Sequence, residues 1–169
     1  MKYAEKILGF LGTVTIPTTT EKFIPRDKFV VDTSKTAKVK ISYVWDDFSN
    51  RFGDRIEEPI SEHILRYNKL GRSSSDGPII AELGGEQKAV TTLTEVFSLM
   101  EKQPNGEKGV LQTNGRANIF YIPDTSLLLH AVFVYWASDG WRVYAYWVTR
   151  PGLWLNGVQV FSRRNPLES

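Results

Sequence analysis

Two histidines, a run of carboxylates and a serine-rich stretch are the residues of this chain whose types could do chemistry. His63 falls in line with Leu65 and Tyr67, and His130 with Val132 and Val134, at strand spacing. An imidazole can act as a general base or proton switch near neutral pH. On an apolar strand face its commoner state is hydrogen-bonded and inert. Asp46, Asp47, Asp54, Glu57 and Glu58 gather between residues 46 and 58, opposed by Arg51 and Arg55. They lack the alternating ligands and turn glycine of a calcium loop, so a solvated acidic loop is expected. Asp46 and Asp47 are adjacent and would point apart on an extended chain, a poor start for a paired acid and base. Ser73-Ser74-Ser75-Asp76-Gly77 offers hydroxyls and amides to a phosphate, but no Gly-Lys pair occurs in the chain to make a phosphate cradle. There is no Gly-x-Ser-x-Gly elbow and no His-Glu-x-x-His helix. With no cysteine, thiolate catalysis, disulfides and cysteine-zinc sites are excluded. No catalytic residue, metal ligand or cofactor is therefore assigned. An enzyme using one histidine with a carboxylate of the acidic stretch is the third-ranked reading.

A stronger signal is aromatic. Residues 130–147, HAVFVYWASDGWRVYAYW, look like two strands joined at Ser138-Asp139-Gly140, yet neither has a polar side. Leu128, His130, Val132, Val134 and Trp136 share one face, and Leu127, Leu129, Ala131, Phe133 and Tyr135 the other. Across the turn, Trp141, Val143, Ala145 and Trp147 oppose Arg142, Tyr144, Tyr146 and Val148. An antiparallel pair with one wet face should alternate. Leaving either face uncovered forfeits roughly 1.5–3 kcal/mol per large side chain, so the pair demands two coverings. Tyrosine joins an apolar body to a hydroxyl that wants a polar partner, which makes the Tyr144 and Tyr146 side the better place for a site. Tyr144, Tyr146, Trp147, Trp154 and His130 are the expected ligand-binding residues. The bland alternative is that these aromatics fill a core.

The elements that must position them read as follows. Tyr3, Ile7, Phe10 and Leu11 recur at helical spacing, predicting a short N-terminal helix over 3–11. Thr13–Thr20 is extended and, with Pro17, suits a sheet edge. Lys38–Trp45 alternates as a half-buried strand, 46–59 is a loop anchored by Phe48 and Phe52, and Ile60–Tyr67 is a strand. Residues 71–78, GRSSSDGP, read as loop. Val90, Leu93, Phe97 and Met100 mark the main helix, over 86–103, which Pro104 ends. The last third reads as an antiparallel meander: Val110–Gln112, a hairpin at Asn114-Gly115, Ala117–Ile122, Leu127–Trp136, Trp141–Val148 and Val158–Arg163.

At 169 residues and 41% apolar, the chain fits a single domain, 1–169, burying about two-thirds of its unfolded surface. A net charge of +2 with 24% charged residues is an ordinary globular balance and argues against a nucleic-acid footprint. Lys22, Arg26, Lys28, Lys35, Lys38 and Lys40 form one basic stretch, which suits the solvent side of an edge strand. No apolar run nears the ~20 residues that span a bilayer. The first residues are too charged for a signal peptide, so a soluble cytoplasmic protein is expected. The expected fold is α+β: a strongly curved antiparallel sheet, partial barrel or sandwich-like, packed against one main helix and the short N-terminal helix. The expected function is non-catalytic binding of a small apolar, planar or sugar-like ligand on the aromatic surface. The alternative is a protein partner on the same surface, including self-association as a homodimer.

Overall fold

The structure, a computed structural model, describes residues 6–163. It is α+β, built on one seven-stranded sheet. The strands are β1 (Leu8–Ile16), β2 (Ile41–Val44), β3 (His63–Leu70), β4 (Asn118–Pro123), β5 (Leu129–Ala137), β6 (Gly140–Trp147) and β7 (Gln159–Arg163). Their order is β1-β3-β7-β4-β5-β6-β2, open at both ends. The helices are α1 (Pro25–Lys28), α2 (Asp46–Phe52), α3 (Asp76–Leu83), α4 (Glu86–Ala89) and α5 (Leu93–Glu101). No helix among the described residues is long and apolar enough to cross a membrane.

The sheet is mixed, which corrects the antiparallel expectation. β4, β5 and β6 do form consecutive antiparallel pairs. β7 does not continue them, but lies between β3 and β4, antiparallel to the first and parallel to the second. β2 pairs parallel with β6. The N-terminal helix is also absent from the described part of its range: Leu8–Ile16 is an edge strand paired with β3, and residues 3–5 lie outside the described residues. Gly9 and Gly12 weaken a helix there, whereas Val14 and Ile16 alternate inward as a strand requires.

Two helices replace expected loops. Asp46–Phe52 forms α2, because Phe48 and Phe52, four apart, both reach the core while Asp46 and Asp47 sit at its positive N-terminal end. Asp76–Leu83 forms α3, stopped by Gly84 at φ 108°. The main helix is split. Val90 bridges to Tyr121, and Thr91 donates its amide to the Tyr121 carbonyl, so the chain leaves α4 before α5 begins. Thr92 and Glu95 then form a capping box. Glu57, from the stretch expected to be solvated, is buried and accepts the amides of Leu93 and Thr94 at 3.0 and 2.8 Å. Val110–Gln112 is not a strand, since Leu111 pairs by both its amide and its carbonyl with the Gln103 side chain.

The 130–147 pair has the two coverings its sequence demands. On the first face, Val132, Val134, Trp141 and Val143 pack with Phe48 and Phe52 of α2 and with Leu93, Val96 and Met100 of α5. On the second, Ala131 and Phe133 join Ile119, Tyr121 and Val160 beneath Ile79 of α3, Ala89 of α4 and Trp154.

Candidate functional site

Coverage of the second face is uneven. Tyr135, Tyr144 and Tyr146 are only partly buried, and the segment 149–158 crosses beside them. Trp154 fixes that segment. Its backbone bridges to Ser74, with bonds of 2.8 and 3.0 Å, and its indole Nε1–H donates to Asp76 Oδ1 at 2.7 Å. The Tyr121 hydroxyl donates to the same oxygen at 2.7 Å. Burial holds the Asp76 carboxyl above its ordinary range, outweighing those two bonds and the pull of Arg150. Burial also pushes the Tyr121 hydroxyl up, with Asp76 adding to it. Trp154 is thus clamped by a buried acid.

Around Trp154 lies a cleft of about 460 Å³, lined by Phe133, Tyr146, Arg150, Leu153, Leu155 and Arg116 among others. Phe133 meets Trp154 edge-on at 5.0 Å, and the Tyr146 ring lies 6.0 Å from it. The Arg150 guanidinium sits 4.1 Å over the Tyr146 ring and 5.3 Å from Trp154, a cation–π arrangement. Leu153 and Leu155 are 64% and 69% exposed at the rim. The cleft is therefore an aromatic floor with apolar lips and a fixed positive charge.

The five expected residues are divided by the sheet. Tyr146 and Trp154 line the cleft. Tyr144 is its neighbour: its ring contacts Phe133 at 5.2 Å, Tyr43 at 5.4 Å and Trp45 at 5.8 Å. Burial, then the bond with Tyr135, pushes its hydroxyl up to about 12. His130 and Trp147 face the other way. His130 is 1% exposed, with Nε2 2.8 Å from Asp124 Oδ2 and its ring 4.2 Å from Trp147. Arg51 covers Trp147 at 4.1 Å. Burial raises the Asp124 carboxyl, but bonds from His130 and from the Leu128 and Ser126 amides outweigh it and leave the group below its ordinary value. Nδ1 of His130 is buried with no partner among the described residues.

Neither histidine meets a carboxylate from 46–58. His63 Nε2 lies 2.5 Å from Glu95 Oε2, and Arg163 forks onto the same carboxylate at 3.0 and 3.1 Å. Sequence reasoning missed Phe133, although its face had been assigned, and Arg150, whose Arg-Pro-Gly context carries no sign of a site. It also missed Asp76, since nothing local in a serine-rich stretch announces an indole seventy-eight residues away. Comparison of the chain with protein-family models, with curated proteins and with solved structures finds no match, so the chemistry of the cleft is read from its own residues.

Proposed function

We propose that the protein binds a small apolar or planar ligand, without catalysis, in the cleft between Tyr146 and Trp154. The observation that carries this is the pairing of a clamped aromatic floor with two exposed leucines. Leu153 and Leu155 stay largely in water while Trp154 between them is buried, a pattern that an apolar occupant would relieve. Arg150 favours an occupant with an anionic edge. His130 supports the non-catalytic reading, since at 1% exposure it offers a reactant no face.

The test is a titration with 1-anilinonaphthalene-8-sulfonate, a planar apolar anion, followed by probe and tryptophan emission. Saturable binding is expected, weakened about tenfold by Tyr146→Ala through loss of one aromatic wall. Absence of saturation, or equal binding by Tyr146→Ala, overturns the reading. The exposure of Leu153 and Leu155 also favours a second reading, burial of the same lips against another copy. Sedimentation velocity separates the two, because a monomer at all concentrations removes self-association, and a dimer that Leu155→Asp dissociates supports it.

A further inference from the structure

A different part of the second face carries polar rather than aromatic chemistry. Where β1, β3 and β7 pass under the turn between α3 and α4, there is a cavity of about 280 Å³. Lys6 and Lys88 supply its positive charge; Arg66 and Arg163 also border it, but the Arg163 side chain lies on the opposite face of β7 from Ser162. Arg163 is matched by Glu95, and the Arg66 guanidinium lies 4.6 Å over the Phe10 ring. The one carboxylate among the lining residues is Glu82, and its two oxygens accept the amides of Ile7 and Leu8 at 2.8 and 2.6 Å. It is held by the backbone rather than offered to the lysines.

The floor is the telling part. Asn68 and Ser162 line the cavity at 7% and 3% exposure. Among the described residues neither side chain makes a hydrogen bond, and neither is among the sealed, unpartnered polar atoms, so both groups stay open to the cavity. Strand alternation explains why they share the cavity. Asn68 and Arg66 are two apart on β3, and Ser162 pairs with Arg66 across to β7, so all three project to one face. An amide and a hydroxyl open to a cavity that also holds two lysines are complementary to an oxyanion, which accepts from both and is neutralised by the ammonium groups.

We propose that this cavity binds the phosphate of a small soluble phosphomonoester. Lys6 and Lys88 supply point charges, Asn68 and Ser162 donate from the sheet, and Leu8 and Leu83 leave an apolar margin for the ester's carbon skeleton. The site is separate from the aromatic cleft, which shares none of these residues.

Isothermal titration calorimetry with glycerol 3-phosphate, inorganic phosphate and acetate tests this. The ester should bind saturably and acetate should not. Lys88→Gln and Asn68→Ala should each weaken the ester about tenfold or more by removing a charge-assisted or direct bond. Lys69→Gln, an exposed lysine on the same strand that does not line the cavity, should leave affinity unchanged. Affinity should fall with added salt, as screening requires. Thermal midpoints report whether each variant is folded. Acetate matching the ester overturns the proposal, as does ester binding that neither Lys88→Gln nor Asn68→Ala alters. Phosphatidic acid vesicles form the last arm: capture of the protein by them, with no heat from the soluble ester, overturns a soluble ligand. No saturation by any probe at about 10 mM, a concentration that would detect even millimolar affinity, overturns the site altogether.

Discussion

Two buried aspartates, one associated with each face of the sheet, hold an aromatic heterocycle and are displaced in opposite directions. Asp124 is ringed by donors: His130, the amides of Ser126 and Leu128, and Arg51 at 3.8 Å. It titrates below its ordinary value. Asp76 receives a phenol and an indole on one oxygen and is raised by burial. In the first region the carboxylate is satisfied and closed in by its donors. The second holds Trp154 at the cost of an uncomfortable carboxylate, beside an open cleft. Where a fold keeps such a group, removing the charge should cost little and removing the acceptor much.

Substitutions can press on that contrast. The largest effect is expected on the sealed face: Trp141→Ala deletes a fully buried indole whose Nε1–H bonds the Gln103 carbonyl at 2.8 Å, and should cost about 3–5 kcal/mol in denaturant unfolding. Next comes Asp76→Leu, which orphans two buried donors and should cost about 1–3 kcal/mol for each. Asp76→Asn keeps an acceptor and should be near neutral at pH 7. An equal loss in both variants would show that the charge, not the bond, holds Trp154.

The two acids also have opposite pH signatures. Because the folded value of Asp124 is lowered, its contribution is present above the ordinary value of 3.8 and is lost as pH falls toward the folded one. Asp76 is raised, so its contribution is fullest below 3.8 and declines as pH rises through the folded value. Comparing unfolding free energies across that range, Asp124→Asn should flatten the acid limb, while Asp76→Asn should steepen it. Parallel curves for the two variants would break the comparison. The smallest stability effect is expected at the cleft: Tyr146→Ala, half-buried, should cost about 1 kcal/mol while weakening probe binding about tenfold.

That the 130–147 pair lacks a wet face was legible in the sequence, because period-two alternation states which residues share a side. How evenly each side is covered was not, since that depends on α3, whose start reads as loop, and on 149–158, which carries no regular pattern. Phe48 and Phe52 were correctly taken as anchors, yet a spacing of four also makes a helix, and α2 followed from it. Parallel pairing of β7 with β4 leaves no local trace, because register between distant strands is set by packing. The five aromatic candidates spanned both faces even though alternation had already separated Trp147 from Tyr146.

The placement of β7 has a consequence for synthesis. β1 and β3 touch β4, β5, β6 and β2 through the sheet only by way of this strand. A nascent polypeptide that has emerged from the ribosome as far as Trp154 therefore carries two unzipped half-sheets, each with a raw hydrogen-bonding margin, on β3 and on β4. Until residues 159–163 slot between them, those margins are open to strands of other molecules, which makes the interval before insertion the chain's most aggregation-exposed moment.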